Sequence, residues 1–206
     1  MKYIRATIRF TLFLSITFGL YGIWWVTRFV IPNKVYWRQI TFEMWTKAYV
    51  KLSGMKIEVI GTPPVPPFFL VSNHVGYADI AALRAVVTGV FVAKREIRDW
   101  FLVGRIVRDM GIVFIDRSNR RDIPRAGDEI IDRLSNGEGV IVFPEGTSTK
   151  GEEILPFNSS FLEFAARIEL PVWHVSIVIV HSPMNPNLPL QLLKIIRPYF
   201  QGTYSQ

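Results

Sequence analysis

The sequence VSNHVGYAD, at residues 71–79, lies where an apolar run gives way to a segment with helical spacing. The run at residues 68–71 has the length of a buried strand, and residues 80–87 have the pattern of a helix. His74 therefore follows the end of a strand, and Asp79 stands at the start of a helix. Because ligands of open α/β sheets bind at the carboxyl ends of the strands, we predict a functional site here.

His74 and Asp79 together form a minimal apparatus for activating a hydroxyl group. A neutral imidazole can accept a proton near pH 7, and a carboxylate can hold the ring in one tautomer and stabilise its cation. In the alternative interpretation, Asp79 only caps the helix and His74 is a polar turn residue. The stretch alone does not decide between the two.

Composition and charge favour a protein that works at a membrane surface. The 206 residues suffice for one α/β domain and an appendage, and 50% of them are hydrophobic. Cysteine is absent, which excludes disulfides and thiolate metal sites. Residues 1–56 hold nine Lys and Arg against one Glu, whereas the remainder is almost neutral. Because this positive charge accompanies the most hydrophobic segment, an anionic membrane is favoured over nucleic acid.

The N-terminal segment is predicted to form two membrane-associated helices. Residues 10–27 carry no charge, and as a helix they would be about 27 Å long against about 30 Å of hydrocarbon. Trp24 and Trp25 suit an interfacial anchor and argue against a cleaved signal peptide. A second helix is expected at residues 35–52, with Gly54 as its C-cap.

Two arrangements of these helices remain open. The first helix could span the bilayer, or both helices could enter one leaflet as a hairpin. The short apolar span favours the hairpin slightly. The predicted domains are a membrane-associated helical hairpin at residues 1–54 and an α/β domain at residues 55–206.

The rest of the chain alternates between strand and helix patterns. Strands are predicted at residues 55–60, 68–71, 89–93, 111–115, 139–143, 171–180 and 192–196. Helices are predicted at residues 80–87, 100–110, 121–136 and 158–169. This order indicates an α/β fold with a mixed, largely parallel sheet covered by helices on both faces, an αβα sandwich.

Two further strand ends carry residues suited to an acyl or phosphate ligand. Arg117 could bind phosphate oxygens through its planar fork, or simply pair with Asp116. In the sequence Glu145-Gly146-Thr147, glycine would let a ligand approach backbone N–H groups that stabilise an oxyanion. The alternative is a turn with Glu145 in solvent. In a parallel sheet, these loops would open at the same edge as His74.

The set of motifs resembles the phospholipid/glycerol acyltransferases, in particular the bacterial lysophosphatidate acyltransferases. The resemblance covers about residues 35 to 180. The matching segments are Asn73, His74 and Asp79 in the first motif, residues 111–117 in the second, residues 143–147 in the third, and the lysine-bearing segment with Lys94. Two positions depart from the family pattern: His174 replaces a second proline, and Asn158 replaces a frequent lysine. The second departure leaves the acceptor's head group open.

The resemblance implies acyl transfer from acyl-CoA or acyl carrier protein to the free sn-2 hydroxyl of lysophosphatidic acid, giving phosphatidic acid. His74 would be the general base, Asp79 would orient it, and N–H groups near Gly146 would meet the oxyanion. The implied substrate-binding residues are Asn73, Lys94, Arg117, Glu145, Gly146 and Thr147. No acyl-enzyme, resident cofactor or metal is implied.

The expected partners are membrane lipids and the acyl donor, and not nucleic acid. The expected location is the inner membrane, with the catalytic domain on its cytoplasmic side. Three rival hypotheses are acylation of another lysolipid such as lyso-ornithine lipid, a non-enzymatic membrane-docking scaffold, and a metallohydrolase using His74 with His174 or His181. The histidine spacing does not favour the last.

Overall fold

The computed structural model describes residues 2–116, 118–119, 121–147, 156, 170, 172–182 and 185–196. The predicted helix at residues 158–169 and the predicted phosphate ligand Arg117 lie outside these residues. The helices are α1 Lys2–Thr27, α2 Lys34–Ser53, α3 Tyr77–Val86, a 3₁₀ helix Arg95–Asp99, α4 Val103–Asp109 and α5 Asp122–Ser135. The strands are β1 Lys56–Ile60, β2 Phe68–Ser72, β3 Gly89–Lys94, β4 Val113–Ile115, β5 Gly139–Val142, β6 Val172–Ser182 and β7 Asn185–Ile196.

The seven strands form one sheet in the order β1-β7-β6-β2-β5-β3-β4. The five strands from β6 to β4 are mutually parallel. β7 is antiparallel to β6, and β1 is parallel to β7, so these two strands run in the opposite direction. The predicted mixed, largely parallel sheet is confirmed. We call the edge where β2, β3, β4 and β5 end the carboxyl edge, and the opposite edge the amino edge.

Helices cover both faces of the sheet. Side chains alternate along each strand, so Leu70 and Ile141 point to one face and Val71 and Val142 to the other. The first face packs against α2 and α3, and the second packs against the apolar stripe of α5. Strands buried on both faces need continuous apolar runs, which explains the composition of β2 and β5.

The helix predicted at residues 100–110 begins later than expected. The chain first forms the 3₁₀ helix Arg95–Asp99 and then turns before α4 starts at Val103. A Cβ on Gly104 would lie 2.1 Å from the carbonyl oxygen of Arg98, so the backbones are in close contact there. Trp100 and Phe101 fall at the start of the periodic apolar pattern that predicted this helix, but both are exposed. The pattern therefore does not indicate core packing at these two positions.

The N-terminal helices form an antiparallel hairpin. Near its closed end, Trp37 Nε1 donates to Thr27 Oγ1 at 2.8 Å. Further along, Trp45 Nε1 donates to Thr17 Oγ1 at 2.9 Å, and Phe13 packs on the Trp45 ring. These contacts pair later residues of α2 with earlier residues of α1, as an antiparallel hairpin requires.

The hairpin also shares the core of the α/β domain. Trp24 of α1 and Phe42 of α2 are buried in the same cluster as the strand residues of the first face. Tyr21 donates its hydroxyl to Asp109 Oδ2 at 2.6 Å, which fastens α1 to the end of α4. The boundary at residue 54 stays a prediction, but the packing is continuous across it.

A buried charge network joins α2, α3 and the start of β5. The Glu138 carboxylate accepts hydrogen bonds from Arg38 and Gln39. Arg84 donates to both the backbone and side-chain oxygens of Gln39 at 2.7 Å. Burial lowers the pKa of Arg84 to about 10, against the attraction of Glu43 and Glu138. Arg84 therefore remains a cation at neutral pH inside the fold.

Candidate active site

The loop after β2 is anchored to the neighbouring strand by Asn73. Its side-chain amide donates to the carbonyl of Ile177 at 2.9 Å and accepts from the N–H of Ile177 at 2.7 Å. The amide thus continues the strand pairing with β6 after β2 has ended. This contact fixes the position of the next residue, His74. The further prediction that Asn73 binds substrate stays a prediction.

His74 and Asp79 face each other, as the sequence predicted. Nδ1 of His74 lies 2.9 Å from Oδ2 of Asp79, whose side chain is completely buried. The same Oδ2 accepts the N–H groups of Val75 at 2.6 Å and Gly76 at 2.8 Å. Asp79 therefore holds both the loop before α3 and the imidazole, and its catalytic role stays a prediction. A proton on Nδ1 leaves Nε2 as the proton acceptor.

An aromatic ring packs against the face of the imidazole. Phe143 stacks on His74 with centroids 4.2 Å apart and planes 17° apart. Phe143 in turn stacks on Phe91 of β3. The side chain of His74 keeps 16% of its surface exposed. Phe143 opens the third motif but was not predicted to form part of the site.

Glu145 connects the loop after β5 directly to the loop after β2. Its Oε1 accepts the backbone N–H of His74 at 3.0 Å. The convergence of these two loops is therefore confirmed, and the alternative of a fully solvated Glu145 is wrong. The contact positions the His74 backbone. A contact of Glu145 with the acceptor stays a prediction.

The backbone of Gly146 forms part of a turn after β5. Its N–H donates to the carbonyl of Phe143 at 3.2 Å. Its φ of 77° explains why glycine occupies this position. Oxyanion binding by N–H groups near Gly146 stays a prediction. Thr147 follows, exposed at the carboxyl edge.

Lys94 lies at the carboxyl edge. It is the last residue of β3, is exposed, and pairs in register with Ile115 at the end of β4. The carboxylate of Asp116, the next residue, accepts from the N–H and hydroxyl of Ser118 at 3.0 and 2.6 Å. The loop that begins with Asp116, described here by residues 116, 118 and 119, thus starts beside Lys94.

Asp122 holds the far end of that loop and makes it sensitive to acid. It accepts the N–H of Asp116 at 2.8 Å and Nε of Arg125 at 2.6 Å. The hydrogen bond from Arg125 is the main cause that lowers the pKa of Asp122 to about 2. Because the pKa is lowered in the folded state, this stabilisation is present above the unfolded pKa near 4 and is lost as pH falls toward 2.

We therefore expect Asp122→Asn to remove part of the acid sensitivity of the fold. The wild type should lose about 1 kcal/mol more stability than the variant between about pH 6 and about pH 2.5, after allowance for the half-exposed Arg125. Urea unfolding in detergent at both pH values measures this difference. Equal losses in the two proteins would contradict the assigned role.

The described residues contain no cluster of three or more His, Asp or Glu side chains able to hold a metal ion. His174 is exposed on β6, in register with Val71. His181 and Asn158 have no described side chain.

Comparison with known proteins assigns the chain to a family. A family model described as Acyltransferase matches residues 56–179. The lyso-ornithine lipid O-acyltransferase of Brucella abortus is 33% identical over 125 residues, covering 60% of this chain and 47% of that protein. The 1-acyl-sn-glycerol-3-phosphate acyltransferase of Neisseria gonorrhoeae is 37% identical over 94 residues, covering 46% of this chain and 37% of that protein. The chain thus spans less than half the length of these relatives.

A solved structure extends the similarity to the whole fold. The crystal structure of the 1-acyl-sn-glycerophosphate acyltransferase PlsC from Thermotoga maritima aligns with a TM-score of 0.72 and 26% identity. The alignment covers 100% of this chain and 90% of that one, so it includes the N-terminal helices. With the family model matching more than half of its length, the chain belongs to the Acyltransferase family.

Proposed function

We propose that the protein transfers a fatty acyl group from acyl-CoA or acyl carrier protein to the sn-2 hydroxyl of lysophosphatidic acid, giving phosphatidic acid. The observation that carries this proposal is the 2.9 Å contact between His74 Nδ1 and the buried Asp79 carboxylate at the carboxyl edge. An imidazole held in this way presents Nε2 as a base for a hydroxyl group.

The chemical step balances without a resident cofactor. Nε2 of His74 takes the proton of the acceptor hydroxyl while its oxygen attacks the thioester carbonyl. A C–O bond forms, the C–S bond breaks, and the imidazolium returns its proton to the departing thiolate. Asp79 stabilises the imidazolium during the step. The reaction releases one free thiol for each ester formed.

Basic and polar groups along the carboxyl edge would hold the acceptor's phosphate end. Lys94 is exposed at the end of β3, and Arg117 follows the neighbouring strand. We propose that these two cations bind the phosphate and that Glu145 supports the loop after β2. Asn73, Gly146 and Thr147 complete the proposed substrate-binding set.

Lyso-ornithine lipid is a second candidate acceptor. Relatives at 30 to 38% identity carry the name lyso-ornithine lipid O-acyltransferase. Asn158 replaces a lysine that could contact phosphate. The two acceptors share a free hydroxyl but differ in head-group charge. The reaction would therefore be the same, and the contacts at the carboxyl edge would decide between them.

The hairpin would attach the protein to one leaflet of the inner membrane, with the catalytic domain on the cytoplasmic side. Among the described residues, one helix, Tyr3–Thr27, is long and apolar enough to cross a bilayer. One side of α1 packs against α2 from Phe13 onward, while Phe18, Ile23 and Val26 stay exposed. Residues 3–12, which precede these contacts with α2, are about 15 Å long, roughly half the thickness of the hydrocarbon core. This length favours insertion into one leaflet.

A thiol-release assay with a panel of lipid acceptors tests the proposal. With acyl-CoA or acyl carrier protein donors, we expect lysophosphatidate to give a rate at least about tenfold above lyso-ornithine lipid or lysophosphatidylcholine, a difference of about 1.4 kcal/mol in transition-state binding. The His74→Ala variant corrects for donor hydrolysis. A higher rate with lyso-ornithine lipid would select the second candidate. If thiol release did not depend on any acceptor, both candidates would be overturned.

A further inference from the structure

Four consecutive apolar residues protrude from the protein between the 3₁₀ helix and α4. We call residues 100–103 the apolar knuckle. The exposed fractions are 50% for Trp100, 88% for Phe101, 49% for Leu102 and 46% for Val103. A contiguous exposed apolar patch is unusual on a soluble surface and marks an interaction site.

The backbone holds the knuckle in this exposed position. The N–H of Gly104 donates to the carbonyl of Trp100 at 2.8 Å, and the N–H of Val103 donates to the carbonyl of Phe101 at 2.6 Å. Gly104 also lies against the carbonyl of Arg98, where any Cβ would clash. Leu102 has a φ of 59°, which an apolar side chain rarely adopts. The turn is thus closed at its base, and its apolar side chains are directed away from the core.

Basic side chains surround the knuckle. Residues 94–108 contain five Lys and Arg against two acidic residues. The guanidinium groups that flank it are exposed on both sides, at Arg95, Arg98, Arg105 and Arg108. Tryptophan and phenylalanine beside arginine are the composition of a protein surface that enters an anionic lipid interface. A purely basic docking surface for an acidic protein would not need Phe101 to be almost fully exposed.

The knuckle and the free end of α1 lie on the same side of the molecule. β3 leads into the knuckle from the carboxyl edge. α2 starts near the amino edge, because Gln39 contacts Glu138, the residue just before β5. α2 ends just before β1, and since β1 runs opposite to β2, this end lies at the carboxyl edge. Because α1 is antiparallel to α2, residues 3–12 also lie toward the carboxyl edge. His74 lies at that edge as well, with 16% of its side chain exposed.

We propose that the apolar knuckle is a second membrane contact, separate from the hairpin. Together with residues 3–12 it would bring the carboxyl edge of the sheet against an anionic lipid surface. Two contacts fix an orientation that one helix cannot fix. The exposed part of the His74 side chain would then face the lipids rather than the solvent. This inference requires no acyl transfer, so its failure would leave the proposed function standing.

The absence of cysteine allows a direct test with single labels. Phe101→Cys, Ile8→Cys and Val65→Cys each carry an environment-sensitive fluorophore. Val65 is the matched control, since it is 82% exposed but precedes β2 at the amino edge. With phosphatidylglycerol vesicles, we expect a blue shift and quenching by brominated lipid at positions 101 and 8, and neither at position 65. A label at position 101 that stays in water while position 8 inserts would overturn the proposal.

Vesicle binding by unlabelled variants excludes an effect of the fluorophore. We expect Phe101→Ser to bind phosphatidylglycerol vesicles about tenfold more weakly than wild type, because one buried aromatic side chain is lost from the lipid phase. Val65→Ser should bind like wild type. Unchanged binding by Phe101→Ser would count against the knuckle. So would a label at position 101 that responds to an acidic carrier protein and not to vesicles.

Discussion

His74→Ala is expected to lower kcat by about 10²–10⁴-fold, the usual loss when a positioned general base is removed. KM should change little, because the imidazole acts on the hydroxyl proton rather than on binding. The comparison to make is free-thiol release by wild type and variant with lysophosphatidate at saturating donor. His174→Ala is the matched control, since His174 is exposed on β6 and should keep wild-type activity.

Asp79→Asn tests the orienting role in the same assay. The amide has the same shape but no charge, so the imidazole loses the partner that fixes its tautomer and stabilises its cation. We expect a loss in kcat of the same order as for His74→Ala, and little further loss in the double variant, because the two residues act as one unit. Thermal unfolding of each variant separates this effect from damage to the loop. Wild-type kcat in a folded Asp79→Asn protein would contradict the assignment.

Glu138→Ala is expected to destabilise the fold by about 3–5 kcal/mol, the cost of breaking a buried ion pair from one side. The carboxylate side chain is only 2% exposed, and it is the partner of Arg38 and Gln39. Its removal leaves a buried cation without its counter-charge. The free energy of unfolding in detergent, from urea titration, measures this loss.

A surface carboxylate provides the control for this substitution. Glu129 pairs with Arg125 and Arg133 on the exposed face of α5. Glu129→Ala should cost less than about 1 kcal/mol, as exposed ion pairs usually do. If both variants lost the same small amount, the buried network would not hold α2 to the sheet.

Local sequence patterns predicted most of the elements. Strands buried on both faces need unbroken apolar runs, and β2 and β5 have them. α5 has a clear apolar stripe, so its predicted limits differ from the observed ones by one residue at each end. The helix expected from residue 100 begins only at Val103, because the preceding chain forms a 3₁₀ helix and the backbone of Gly104 lies against the carbonyl of Arg98 in it. An aromatic spacing alone does not show whether the rings face the core or the solvent.

The sequence predicted that the loops of the site meet at one edge of a parallel sheet, but it predicted a specific side-chain contact only between residues close in sequence. His74 and Asp79 are five residues apart, so a single strand-to-helix turn brings them together. The contact of Glu145 with the His74 backbone depends on β5 being the neighbour of β2. No local sequence pattern predicts this strand order. The same holds for Phe143, whose ring reaches His74 only because the two strands end side by side.

The shared core of the hairpin and the sheet makes detachment from lipid and loss of tertiary structure coupled equilibria. Trp24 and Phe42 are buried with the strand residues, so α1 and α2 are not a passive tether. In the proposed membrane-bound state, any lipid or detergent that binds the folded hairpin would also raise the free energy of unfolding of the α/β domain, by mass action. The hydrocarbon phase would then act as a ligand of the folded protein.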